Sequence, residues 1–288
     1  RGEKVGLIKV YLYRPFSQKY LEAVLPATVK KIAVLDRAKE VGTREPLFLD
    51  VCYALRNHKD ITFIGGRYGL SSKDTNPSHI NAVFEELKKD APKEEFTIGI
   101  EDDVTNLSIS PIDIHVDADY TSCLFYGLGS DGTVGANKST VKIIGNNTDL
   151  YSQAYFAYDS KKAGGVTRSH LRFGPTPIHS PYYINKADFI SCSQESYAFK
   201  FDMVRDLKEG GTFLLNTVIP AEEIENRLPN RMLKALADKK ANFYIINANA
   251  IARETHMGSH TNTILQSAFF KLNEQIMPYS KSLALMEA

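Results

Sequence analysis

The sequence predicts an α/β protein made of two Rossmann-like domains, each a mainly parallel sheet with crossover helices. Three observations carry this expectation. Short β-rich runs alternate with helical stretches along the 288 residues, a polar tract breaks the pattern before the middle, and a glycine-rich bend follows the apolar run that restarts it. With 43% hydrophobic and 24% charged residues, a chain of this length is expected to build two cores of ordinary size.

In the first part, residues 5–13, 31–35 and 61–64 read as strands because β-branched and aromatic side chains dominate them. Residues 17–25, 45–56 and 77–89 read as helices, with Ser17 placed as an N-cap after Pro15 and Phe16. A polar tract at 91–95 leads into an apolar run at 96–100. Asp102, Asp103 and the stretch 108–111 then mark a change of unit, with the boundary expected in the region 105–118 and the domains drawn as 1–112 and 113–288.

The second part opens on the β-prone run 123–126, followed by a helix over about residues 135–145 and strands at 154–158, 188–191, 212–216 and 242–247. Residues 203–208 read as a helix stopped by Gly210 and Gly211, which is a common C-terminal signal. Further helices are expected from about Asn262 and over 280–288. Both ends of the chain are abrupt, which suggests a piece of something longer; a trimmed expression tag would leave similar ends.

Residues 127–138 are the most informative stretch. Gly127, Gly129 and Gly132 fit the spacing G-x-G-x-x-G between a strand and a helix. Glycine allows backbone conformations closed to other residues, and the free N–H groups of the following helix turn face an anion. The cradle so defined comprises Gly127, Gly129, Ser130, Asp131, Gly132, Thr133 and Val134, with Asn137 and Lys138 behind it. The bland alternative is a tight βα turn and nothing more.

A dinucleotide site would need an acid at the end of the second strand, and Asp159 sits close to that place. Ser160, Lys161, Lys162, Gly164 and Gly165 follow at once, a basic loop better suited to a second phosphate or else a solvated lysine pair. Coenzyme A and NADP each carry a diphosphate and a ribose phosphate. Downstream, Arg168, His170 and Arg172 lie near the same loop. Flanking arginines should keep His170 neutral, and Arg172 could clamp an anion or pair with a carboxylate.

Several classes are disfavoured. Lys plus Arg total 35 against 34 Asp plus Glu, so a net charge of +1 gives no general field for nucleic acid. No run approaches the roughly 20 apolar residues of a membrane span, and no signal peptide opens the chain. Cys52, Cys123 and Cys192 lie far apart with no C-x-x-C, which suits reduced thiols in the cytoplasm rather than a metal site. The acceptor patterns at Asn106, Asn137 and Asn146 are then coincidental. His256 and His260 lack the glutamate of the zinc-protease motif between them.

Patches in fixed order across nearly the whole chain carry a family resemblance. They are residues 12–16, 35–37, 45–47, 65–69 and 96–104, then 126–138, 155–165, 169–174 and 210–216. This order resembles the pyruvate:ferredoxin (flavodoxin) oxidoreductase family. The first part is similar to a transketolase C-terminal-like domain, in partial form, and the second to the gamma domain. The resemblance implies a parent enzyme, expected to be a homodimer, that converts pyruvate and coenzyme A to acetyl-CoA and carbon dioxide. Thiamine diphosphate, Mg2+ and four-iron, four-sulfur iron–sulfur clusters would be held by its remaining domains, and ferredoxin or flavodoxin would take the electrons. This segment would dock coenzyme A through the cradle, with Lys161, Lys162 and Arg172 as further anion contacts, hold no cofactor and no catalytic residue, and be inactive alone. The glycines of 65–69 could form a second anion turn. Two other classes stay open: an NADP-binding oxidoreductase domain, and a purely structural assembly module.

Overall fold

A computed structural model describes residues 2–101, 104–114, 116, 119–158, 165–258 and 260–287. The chain divides into two compact units, residues 1–117 and 118–288.

The first unit contains α1 (Gln18–Val24), β1 (Lys31–Asp36), α2 (Pro46–Ala54), β2 (Thr62–Arg67), α3 (Pro77–Lys88), β3 (Glu95–Ile98) and β4 (Ser108–Ile109). The four strands pair in parallel in the order β1-β2-β3-β4. Leu21, Val34, Phe48, Val51, Ala54 and Leu55 form one core, and Ile64, Val83 and Phe96 form another. Residues 108–109, expected to mark a change of unit, pair with β3 instead.

Local chemistry sets these helix starts. Asp36, at the end of β1, accepts the N–H groups of Leu47 at 3.0 Å and Phe48 at 3.1 Å, so α2 is capped from across the βα loop. At α3, the Asn76 side chain accepts from His79 N–H at 3.2 Å and His79 Nδ1 accepts from Asn76 N–H at 3.1 Å, with Pro77 entering the first turn. Ser17 occupies the N-cap position of α1 without a side-chain hydrogen bond.

Two expectations fail here. Residues 5–13 form no strand; they run as irregular chain with Leu7, Tyr11 and Leu12 exposed, because a β pattern needs a neighbouring strand to pair with. Gly65 and Gly66 do not form an anion turn. They lie inside β2, where a Cβ on Gly66 would collide with the Phe96 ring, and the adjacent Arg67 is tied to Glu45 and Glu95.

The second unit runs β5 (Thr121–Leu128), α4 (Thr133–Asn147), β6 (Tyr151–Tyr158), β7 (Val166–Gly174), β8 (Ala187–Cys192), α5 (Tyr197–Lys200), β9 (Leu207–Asn216), α6 (Ile224–Arg227), α7 (Asn230–Asp238), β10 (Asn242–Ile246), α8 (Ala248–Glu254), α9 (Asn262–Leu272) and α10 (Tyr279–Glu287). Its sheet has the order β10-β9-β8-β5-β7-β6. Strands β10, β9, β8 and β5 are parallel, and β7 is antiparallel to both β5 and β6. The β5–α4–β6 crossover therefore joins two parallel strands with β7 inserted between them.

One face of this sheet packs Leu124, Ile190, Phe213 and Leu215 against Tyr197, Ile224, Met232 and Leu236. The other packs Phe125, Leu171, Phe173, Phe189 and Leu214 against Ile143 and Ile144 of α4 and Leu265, Phe269 and Phe270 of α9. The helix expected at 203–208 is only a single 3-10 turn at Val204–Asp206. Gly210 (φ 70°) and Gly211 belong to β9, and a Cβ on Gly211 would press on the Leu207 side chain and the Asp188 carbonyl, where the β8–β9 register shifts.

Candidate functional site

The buried run Ser122–Gly127 carries the chain up β5 to the bend. Two of the motif's glycines are sterically required. A Cβ on Gly127 would lie 2.6 Å from Thr133 Cβ and 2.8 Å from Thr167 Oγ1, so the first residue of α4 packs directly on the strand end. Gly132, the N-cap of α4, has φ 85°, and its missing side chain leaves room for Asn262 at the start of α9.

Most of the bend's amides are already satisfied. The Asp131 carboxylate accepts from Leu128 N–H and Thr133 N–H, both at 2.8 Å, and from Ser193 Oγ at 2.7 Å. Asp131 N–H donates to Leu128 O at 3.0 Å, and Gly129 N–H donates to Gly165 O at 2.8 Å. Asp131 is thus a built-in anion at the start of α4, where the helix dipole favours one. The first bond of the helix runs from Ala136 N–H to Gly132 O at 3.0 Å, so Val134 and Gly135 keep N–H groups with no intrahelical acceptor. Gly135 is exposed, with nothing within 4 Å of a Cβ placed there.

The remaining cradle residues divide by helix face. Thr133 and Asn137 are buried, whereas Ser130 and Lys138 are exposed, with Lys138 Nζ 5.6 Å from the centre of the Phe156 ring. Lys161 and Lys162, with Asp159, Ser160 and Gly164, lie outside the described residues. Both flanks of that loop reach the cradle end of the sheet: Tyr158 pairs with Thr167, which also pairs with Gly127, and Gly165 holds Gly129.

Arg172 is not brought to the cradle. It pairs across the ladder with Ser122, five residues from the Gly127–Thr167 pair, or roughly 17 Å along the strand. Its guanidinium is buried and donates to Gln153 Oε1 at 3.0 Å, Ser180 O at 3.1 Å and Tyr182 O at 2.7 Å. His170, two residues earlier, is buried too. It stacks on Tyr183 at 4.7 Å, and its Nδ1 accepts from Ile184 N–H at 3.0 Å.

Burial, then the charges of Arg168 and Arg172, push the His170 pKa down to about 3 from an ordinary 6.5. The unfolded chain therefore binds a proton that the folded chain refuses, and stability falls as pH drops below 6.5 towards 3. Acidification from about pH 7 to about pH 5 is expected to remove about 2 kcal/mol through this group. Urea midpoints of wild type and His170→Gln at both values check it; the glutamine variant should lose distinctly less on acidification.

The site also holds residues that no motif announced. The chain leaves β5 towards β6 and β7 but leaves β8 towards β9 and β10, so the gap between the ends of β5 and β8 is a topological switch point, where α/β sheets bind ligands. Ser193 stands there, its N–H on Tyr126 O at 2.9 Å and its carbonyl accepting from Asn216 Nδ2 at 3.0 Å. Glu195 is fixed beside it, accepting from Thr217 Oγ1 at 2.5 Å and Val218 N–H at 3.2 Å. Isolated polar residues after a strand carry no spacing signal.

Among the described residues no group of three or more His, Cys, Asp and Glu converges on a metal position. Burial pushes the Cys123 and Cys192 thiols up, Cys192 to about 12. No helix among the described residues is long and apolar enough to cross a membrane.

Comparison with known proteins matches residues 122–284 to the family model "Pyruvate ferredoxin/flavodoxin oxidoreductase" and residues 1–80 to "Pyruvate:ferredoxin oxidoreductase core domain II". The chain is 54% identical over 277 residues to the pyruvate:ferredoxin oxidoreductase of Moorella thermoacetica, covering 94% of this chain and 24% of that protein. It is 52% identical over 292 residues to the pyruvate-flavodoxin oxidoreductase of Enterobacter agglomerans, covering 100% of this chain and 25% of that protein. A pyruvate oxidoreductase subunit, PORC, from Thermotoga maritima superposes with TM-score 0.46 and 20% identity, over 59% of this chain and 83% of that one. The chain thus spans about a quarter of the length of these two relatives.

Proposed function

The chain belongs to the pyruvate ferredoxin/flavodoxin oxidoreductase family, and from that premise we propose that its second unit docks coenzyme A for a reaction completed elsewhere in a longer enzyme. That enzyme would convert pyruvate and coenzyme A to acetyl-CoA and carbon dioxide in the cytoplasm, passing two electrons to ferredoxin or flavodoxin. Its thiamine diphosphate, Mg2+ and iron–sulfur clusters would sit in the domains this chain lacks, and a homodimer is its proposed assembly. The first unit would serve as scaffold, with the domains drawn near residues 112–117.

The observation that carries the reading is the bend at the switch point, from which Val134 and Gly135 present N–H groups with no intrahelical acceptor beside the exposed Lys138. Gly127, Gly129, Gly132 and Thr133 give that surface its shape, Asp131 braces it from within, Asn137 lies buried behind it, and Ser130 offers a hydroxyl. Lys161 and Lys162, which follow Tyr158 and precede Gly165 in the sequence, would meet a second phosphate. Binding the adenosine phosphates firmly would leave the flexible arm to deliver its thiol by proximity. Arg172 acts here as a structural clamp on the 180–182 segment rather than as an anion contact.

Calorimetric titration with coenzyme A, its 3′-dephospho form and NADP tests the proposal. Coenzyme A is expected to bind, more tightly than the dephospho form, and Lys138→Ala is expected to weaken it about three- to five-fold, as for one exposed charge contact. Preferred binding of NADP would favour a nicotinamide enzyme, and no binding of any of the three would leave the assembly-module reading, which Asp131's occupation of the amides supports.

A further inference from the structure

At the bend, the starts of α4 and α9 and the ends of β5 and β8 line a partly open cavity of about 20 Å³, whose polar lining is Thr133, Asn137, Ser191, Ser193, Asn262 and Gln266. Asn137 is 4% exposed, lines this cavity, and has an Nδ2 group with no hydrogen-bond partner among the described residues. A buried donor left bare costs about 1–3 kcal/mol. A 15-residue helix that begins directly after its N-cap Gly132 has no evident reason to carry such a loss at its second turn.

We propose that this cavity binds one water molecule, and that the water is the hydrogen-bonded link between Asn137 of α4 and Gln266 of α9. Size and chemistry both select it. A cavity needs roughly 10–15 Å³ to take a water, and a water there needs two to four polar partners. Gln266 Nε2 donates to Thr140 Oγ1 at 3.0 Å, and Thr140 Oγ1 in turn donates to Ala136 O at 3.0 Å. That pairing fixes the Gln266 amide and leaves its Oε1 as an acceptor. The Ser193 proton is committed to Asp131, so its oxygen can only accept further bonds. A water would accept from Asn137 Nδ2 and donate to Gln266 Oε1 and a serine or Asn262 oxygen.

The alternatives fit worse. A metal cation has no use for an N–H donor, and the lining offers no carboxylate of its own. A phosphate brings mainly acceptor oxygens, and Ser193 Oγ and Gln266 Oε1 present acceptors of their own there. The cavity lies at the same switch point as the candidate site and shares Thr133, Asn137 and Ser193 with it, but its lining excludes the outer amides of Val134 and Gly135.

A crystal structure of the 288-residue chain resolving ordered water should show one density peak within hydrogen-bond distance of Asn137 Nδ2 and Gln266 Oε1. A dry cavity, or an Asn137 amide turned directly onto a protein acceptor, overturns the proposal. In solution, water-oxygen relaxation dispersion should count one fewer long-lived buried water in Asn137→Leu, and an unchanged count overturns it too. Should the leucine variant fail to fold, Asn137→Ser enlarges the cavity and should gain a second peak; a serine variant with no ordered water there counts against the site.

Discussion

Phe269→Ala is expected to destabilise the second unit by about 3–5 kcal/mol, the range for removing a fully buried aromatic ring that its surroundings cannot collapse onto. Phe269 is 0% exposed and sits at the centre of a ring cluster, with Phe189 at 5.2 Å, Phe125 and Phe270 at 5.3 Å and Phe173 at 6.5 Å between centroids. Several of these contacts are edge-on, a geometry that adds to area burial. The neighbours come from three strands and from α9 itself, so no single element can move in to fill the void. Scanning calorimetry reads the effect. The chain has two separate sets of cores, and the endotherm that moves identifies the transition of residues 118–288. Phe269→Leu, which keeps most of the volume, should cost distinctly less. A loss below about 1 kcal/mol for the alanine variant would mean that α9 is held elsewhere.

The same packing explains what the sequence could and could not disclose about the site. The run 123–126, the glycine spacing and the helix after it are local features, and the structure places β5, the bend and α4 where that pattern put them. Spacing says nothing about what the bend's amides face. Only the folded chain shows Asp131 turned inward onto Leu128 and Thr133, with Ser193 arriving from 62 residues away. Likewise the alternation of Arg168, His170 and Arg172 has the period of a strand, but the charge of Arg172 left open a clamp on an anion or a pairing with a carboxylate. Arg172 can lie inside β7 because the carbonyls of Ser180 and Tyr182 fold back over it, a long-range event with no motif. Gly210 and Gly211 read as a helix stop for the same reason, since the β8–β9 register shift that uses them belongs to two strands at once.

In the first unit, Arg67→Ala is expected to cost about 3–5 kcal/mol by leaving Glu45 as a buried charge without its cation. Glu45 is 1% exposed and Arg67 6%, and the guanidinium bonds to both Glu45 and Glu95. Arg44, the other arginine nearby, makes no ion pair with Glu45: its Nη2 donates to the Glu94 carbonyl at 2.6 Å, its Nε lies 4.0 Å from Glu95 Oε2, and its guanidinium lies 4.2 Å from the centre of the Phe48 ring. Glu45 precedes α2 and Arg67 ends β2, so the pair joins the βα loop to the sheet at the strand ends. Removing the cation strands the carboxylate, whereas removing both charges need cost little. The double variant Glu45→Gln, Arg67→Met should therefore recover most of the loss seen in Arg67→Ala, with urea midpoints as the measurement. Arg67→Met alone, which keeps the packed stem but strands the carboxylate, should still lose most of that stability; full recovery in it would show that Arg67 contributes through its stem, not its charge. Recovery in the double variant only would place the ion pair among contacts that cost more to break than to replace, and would tie the orientation of α2 to a single cation at the end of β2.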